Sequence, residues 1–173
     1  PAGWLGKTHA MQRGSERATG ELLLFSDGDT LFEPEAMQLA VRYLQQAGVD
    51  HFCVVPRLIP GDYWENALSS LMAVVFLVSA RPWSVNNPAS SAYGGVGQFN
   101  FIRRTAYQTL GGYASMPLEV IDDMRLGFAA KKHGFRSDFL RGDDLLQIKW
   151  QSGGVLSLIK GVEKNSFAAI DFS

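Results

Sequence analysis

Two aspartates one residue apart, Asp27 and Asp29 in the stretch FSDGDTLF, are the residues whose types and spacing most invite chemistry. They follow a run of four apolar side chains, Leu22 to Phe25, and enclose Gly28. In an extended segment residues i and i+2 point to the same side, and glycine lets backbone or ligand approach closely. Two converging carboxylates repel unless a positive charge lies between them, and a hard divalent cation is the usual solution. The remaining coordination positions of such a cation suit the oxygens of a diphosphate. Asp-Gly-Asp-Thr is also ordinary turn chemistry, in which Asp29 or Thr30 caps a helix.

A second acidic pair, Asp122 and Asp123, follows the apolar stretch LEVI and precedes a segment ending in Lys131, Lys132, His133 and Gly134. Acids in the first turn and bases in the last are what a helix dipole favours. Adjacent carboxylates also suit a general base, one group tuned by its neighbour's charge. Other motif readings fail on spacing. A calcium loop of the EF-hand type needs an oxygen ligand at Leu31 and glycine at Phe32. A phosphatase of the haloacid dehalogenase type wants Thr or Val where Leu31 stands. GWLGKT has Pro1 where the first glycine of a phosphate loop belongs.

These groups need elements to position them. A helix is expected from Thr8 to about Thr19, with Ala10, Gly14 and Ala18 as a small-residue stripe, and ELLLFSD reads as a strand buried on both faces. Pro34 opens a second helix that Gly48 stops, and DHFCVVPRLI is the next strand. A helix from about Trp64 to Ala80 precedes a loop rich in turn formers and the strand GQFNFI. Helices at RRTAYQTLGG and from Asp122, a strand FRSDFL, and an amphipathic helix from about Val155 to Ala169 complete the chain. Strands separated by helices indicate an α/β domain with a mainly parallel central sheet. Asp27 and Asp29 then lie at the carboxyl end of a strand, where ligand crevices form.

Composition narrows the partners. The chain has 173 residues, 46 % of them hydrophobic, enough for one domain over residues 1–173. Sixteen basic against seventeen acidic residues leave a net charge of −1, so no long-range field recruits nucleic acid. The single Cys53 excludes an internal disulfide and reads as a buried small hydrophobe. The segment ALSSLMAVVFLVSA is shorter than the ~20 residues of a membrane span and is expected to be a buried or membrane-surface helix. Trp64 and Trp83 flank it, either marking a membrane interface or packing in the core.

The stretch GWLGKTHAMQRGSERATGELLLFSDGDTLFEPEAM resembles the part of family 2-type inverting glycosyltransferases that leads into their DxD motif. GVGQFNFIRRTAYQTLGGYASMPLEVIDDMRLGFAAKKHGFR is similar to their later block. There a Gly-rich acceptor loop, an Arg-Arg pair, a Gly-Gly-aromatic turn and an acidic pair before xxLG follow in order. The ending IKGVEKNSFAA resembles the hopanoid-associated and ceramide glucosyltransferase-like branch.

The resemblance implies a GT-A-like, nucleotide-diphospho-sugar transferase fold and metal-assisted transfer of a sugar to an acceptor hydroxyl, lipid-like or glycan. It implies Asp27 and Asp29 as ligands of Mg2+ or Mn2+ with the donor diphosphate, Lys7 at a phosphate or uracil, and Asp123 as catalytic base. Gly95, Gly97, Asp122 and Trp150 fall in the acceptor region it implies. Such enzymes carry a strand and an acidic base-binding loop ahead of this region and membrane helices after it. The chain is thus expected to be a soluble piece of a protein at the cytoplasmic face of the cell membrane. Processive members have Gln-x-x-Arg-Trp, whereas QIKWQ is one residue short and has Lys149 for Arg. A non-catalytic scaffold of the same fold and a metal-dependent phosphohydrolase are the competing functional classes. His9, His51 and His133 are scattered and are read as no metal site, and Arg103 or Arg104 is expected to pair with Asp122 or Asp123.

Overall fold

The computed structural model describes residues 2–149. Trp150 and the expected terminal helix over 155–169 lie outside the described residues. The helices are α1 (Gly6–Arg17), α2 (Ala36–Ala47), α3 (Tyr63–Ala80), α4 (Arg104–Thr109) and α5 (Asp122–Lys132). The strands are β1 (Leu22–Phe25), β2 (Thr30–Phe32), β3 (His51–Val55), β4 (Arg57–Leu58), β5 (Asn100–Arg103), β6 (Ser137–Arg141) and β7 (Leu146–Ile148).

The main sheet has the order β1-β5-β3-β6. β5 runs antiparallel to both β1 and β3, while β3 and β6 are parallel. Three of the four strands therefore share a direction, as the alternating pattern predicts, and β5 alone runs against them. That reversal matters for function. Because Phe25 at the end of β1 pairs with Asn100 at the start of β5, the loop entering β5 arrives beside Asp27. A second sheet, β2-β7-β4, was not expected: the segment DHFCVVPRLI breaks at Pro56, and Arg57–Leu58 joins this smaller sheet instead.

Alternation along the strands divides the core into two. Leu23, Phe25 and Ile102 face α4, α5 and the turn holding Tyr113. Phe52, Val54 and Phe101 face α2 through Ala36, Ala40 and Leu44, whose i, i+4, i+8 spacing is one helical face. Gly48 ends α2 in the left-handed region at φ 62°. On α1 the buried residues are Thr8 and Ser15, and the expected stripe of Ala10, Gly14 and Ala18 faces out instead. Helix α3 opens with a capping box between Asp62 and Glu65, yet none of its residues is buried. It closes neither core.

Candidate active site

Four segments meet at the carboxyl end of β1. Asp27 follows β1 directly, and its amide donates to the Gly97 carbonyl at 2.9 Å, tying the strand end to the loop before β5. Gly28 and Asp29 form a turn, and Asp29 is exposed. The two carboxylates are thus not presented by an extended i, i+2 segment as the sequence suggests. The polypeptide bends at Gly28, and Asp29 projects into solvent beside Asp27.

Lys7, in the first turn of α1, places Nζ 3.1 Å from Asp27 Oδ1 and 3.1 Å from Asp122 Oδ1. Burial alone lowers the ammonium's pKa, but the two carboxylates outweigh it and hold it above the ordinary lysine value. Asp122 is 1 % exposed. Burial pushes its carboxyl above the usual range, opposed by Lys7 and reinforced by the charge of Asp123. Its Oδ2 is buried with no hydrogen-bond partner among the described residues. The expected pairing with Arg103 or Arg104 does not form. Arg103 binds Asp50 and the Val49 carbonyl, and Arg104 donates to the carbonyls of Gly20 and Ser15. Arg103 ends β5 and Arg104 begins α4, and the partners of both lie outside α5.

Asp123 is half-buried, and Oδ1 accepts from its neighbour's amide, Met124 N, at 2.8 Å. Its other oxygen looks toward Gly97. A methyl group on Gly97 would lie 2.6 Å from Asp27 Oδ2 and 3.4 Å from Asp123 Oδ2. Glycine here therefore lets one oxygen of each acidic pair close in on the same stretch of main chain. Gly95, expected at the acceptor, is buried against the main chain of Asp123: a Cβ there would come within 1.9 Å of the Asp123 carbonyl oxygen. Gly127, one turn along α5, is pressed in the same way: a Cβ there would come within 1.8 Å of the Gly94 carbonyl oxygen. Backbone seats on backbone, and this fixes where Asp123 stands.

Sequence reasoning misses the residues that hold this seat from below. Asn100 Nδ2 donates to the Asp123 carbonyl at 3.2 Å, and Asn100 Oδ1 lies 2.6 Å from His51 Nε2. Since Oδ1 can only accept, Nε2 carries the proton, and Nδ1 is buried with no partner among the described residues. The only signal was one amide among apolar residues in FNFI. Ser26 Oγ, donating to the Gln98 carbonyl at 2.8 Å, ties the same loop to β1.

His51 is fully buried, which pushes its pKa down to about 4. The unfolded chain binds this proton near pH 6.5, so between the two values the unfolded state carries more protons and stability falls as pH falls. Urea unfolding is expected to show about 3 kcal/mol lost from pH 7 to pH 4 through this residue. In His51→Gln that part of the slope should vanish. Parallel profiles for parent and variant would overturn it.

The site fits a hard divalent cation at its solvent side. Asp27 is partly exposed, Asp29 two residues on is exposed, and the Lys7 ammonium between Asp27 and Asp122 shows that positive charge is favoured in this acidic cluster. Among the described residues no group of three or more His, Cys, Asp or Glu side chains is arranged to hold a metal by itself. Two carboxylates with oxygens from a bound diphosphate remain the fitting set.

No curated protein sequence matches the chain significantly. Solved structures do. Mannosyl-3-phosphoglycerate synthase from Rubrobacter xylanophilus superposes with a TM-score of 0.50 at 15 % identity, over 95 % of this chain and 48 % of that one. Glucosyl-3-phosphoglycerate synthase from Mycobacterium tuberculosis, in complex with Mn2+ and UDP-glucose, gives 0.50 at 17 % identity, over 95 % and 52 %. The chain thus spans about half the length of these structures, and the likeness establishes a GT-A-like fold. Residues 1–144, which include every element built into the site, match the family described as glycosyltransferase like family 2, and the chain belongs to that family.

Proposed function

We propose that the protein moves a sugar from a nucleotide-diphosphate donor to an acceptor hydroxyl by an inverting single displacement. The observation that carries this reading is the convergence on Gly97 of Asp27 Oδ2 and Asp123 Oδ2, one oxygen from each acidic pair. In this reading a carboxylate suited to the donor's cation and a carboxylate suited to a general base flank one reacting centre. Asp123 Oδ1 is engaged by the Met124 amide, so Oδ2 is the atom that takes the acceptor's proton. As it does, the acceptor oxygen bonds to the anomeric carbon. The bond from that carbon to the diphosphate oxygen breaks, and its electron pair stays with the nucleoside diphosphate.

Mn2+ or Mg2+ held by Asp27 and Asp29 would neutralise charge on the departing diphosphate. Lys7 shares Asp27 and is assigned to a donor phosphate oxygen. Asn100 and His51 keep the Asp123 main chain in place, and the Asp122 carboxylate anchors Lys7. Residues 1–173 act as one domain carrying the DxD and base portion of the enzyme. The acceptor is a lipid-like hydroxyl met at the cytoplasmic face of the membrane, with Gly97 near its path. The exposed apolar helix α3 supports the lipid class.

Asp29→Asn is the direct test of the donor end. Calorimetry with Mn2+ and a nucleoside diphosphate should show binding lost. The melting temperature should barely move, because an exposed substitution changes stability by about 0.5 kcal/mol or less. Binding equal to the parent's would remove Asp29 from the site.

A further inference from the structure

The outward face of α3 is apolar. Its half-buried residues, Glu65, Leu68, Ser69, Met72, Phe76 and Ala80, form one stripe toward the protein, and Phe76 packs on Phe139 of β6 at 5.8 Å between ring centroids. The opposite side presents Trp64, Leu71, Val74, Val75 and Val78, and both Trp64 and Val78 keep 68 % of their surface exposed. A helix destined for water shows the reverse arrangement. Trp64 and Tyr63 stand at one end of this face and Trp83 just beyond the other. Ionisable groups occur only near the ends: Asp62 and Glu65 at the start, Arg81 at the finish.

By length and composition the segment Tyr63–Ser84 is sufficient to cross a membrane. Its anchorage argues against that. The middle of α3 rests on β6 through Phe76, β4 precedes it, and Val85 after it is fully buried. Lys131 of α5 further clamps the following turn, donating to the carbonyls of Val85 and Asn87 at 2.6 Å and 2.7 Å. Both ends and the middle are thus fixed to one globular body, so the helix lies along it.

We infer that the outer face of α3 is a membrane-docking surface, lying in the plane of a lipid bilayer with its aromatic ends at the headgroup level. An apolar face bounded at both ends by aromatic residues, with charge only at its ends, is what the water–lipid boundary favours. The protein's near-neutral net charge makes the attraction one of apolar area rather than of anionic headgroups. This deepens, and rests on, the membrane-surface part of the function proposed above. It does not depend on the sugar chemistry at Asp123. The clamp at Lys131 ties the turn after α3 to the last turn of α5.

The test uses the whole protein and phosphatidylcholine vesicles without anionic lipid. The parent should float with the vesicles, and raising salt should not release it. The triple variant Leu71→Ser, Val74→Ser, Val78→Ser should bind vesicles at least about tenfold more weakly, with an unchanged melting temperature because these side chains face out. Mn2+ and nucleotide binding, measured on the same variant, should equal the parent's. Parent-like Mn2+ and nucleotide binding in Asp29→Asn would count against the donor site alone and leave the docking surface standing. Three results would overturn the docking surface: equal flotation of parent and variant, a lowered melting temperature without any change in flotation, or a parent dimer that the variant converts to monomer while vesicle binding persists.

Discussion

Asp123→Asn is expected to lower sugar transfer by roughly 10²–10⁴-fold, the range spanned by loss of a general base. Donor binding should stay near the parent value. The amide keeps the shape of the carboxylate and can still accept from the Met124 amide through its oxygen, but it cannot take a proton. The helix start should tolerate the change, since Asp122 retains the negative charge in the first turn of α5. Turnover measured at saturating donor and acceptor, beside a donor titration by calorimetry, separates the two effects. Parent-like turnover would leave Asp123 as a helix-start residue only. Loss of donor binding together with turnover would move it to the donor site.

The largest structural effect is expected at Gly95. An alanine Cβ there would meet three main-chain atoms of α5: the Asp123 carbonyl oxygen at 1.9 Å, its carbon at 2.2 Å and Met124 N at 2.5 Å. Main chain cannot rotate aside as a flexible side chain can, so α5 or the loop must move. Overpacking of this kind costs about 3 kcal/mol, and the melting temperature of a domain this size should fall by roughly 10 °C. Turnover should fall further than stability does, because the displaced atoms belong to the base itself. Gly14→Ala is the matched contrast. Gly14 lies mid-helix on an exposed face of α1 with open space around it, so the same methyl group should stabilise the protein by about 1 kcal/mol. Thermal melts of both variants check the signs together. Equal effects would mean that the contact at Gly95 does not bear on the fold.

The acidic residues were legible because strand ends and helix starts follow from local pattern. Four apolar residues stopped by Asp-Gly-Asp locate the end of β1, and Asp122 begins α5 where expected. The partnership between these two places was not legible from their spacing. Lys7, Asp27, Gly97 and Asp122 come together only because β5 lies antiparallel beside β1, and no local propensity encodes that choice. The family resemblance supplied the roles, and the structure supplied the contacts. Short strands escaped for a related reason. β2, β4 and β7 have two or three residues each, too few for alternation to show, and they exist through pairing with one another. On α1 the choice of face was misread because Thr8 and Ser15 are buried by hydrogen bonding, Thr8 Oγ1 to the Pro117 carbonyl and Ser15 Oγ to the Gln12 carbonyl, rather than by being apolar.

The position of β5 also sets an order in time. In the main sheet no strand pairs with the strand made just before or after it in that sheet's own sequence, apart from β5 with β3, and even these are separated by the whole of α3. As the chain leaves the ribosome, β1 and β3 emerge before β5, the strand that lies between them in the sheet. Their apolar runs, Leu22 to Phe25 and His51 to Val55, therefore wait for a strand that begins at Asn100. Pairing at such separations is slow, and apolar strands left waiting are the kind that aggregate. The nascent protein thus needs shielding over this interval, and the acidic centre, which draws on residues from Lys7 to Asp123, comes into being only after the sheet has closed.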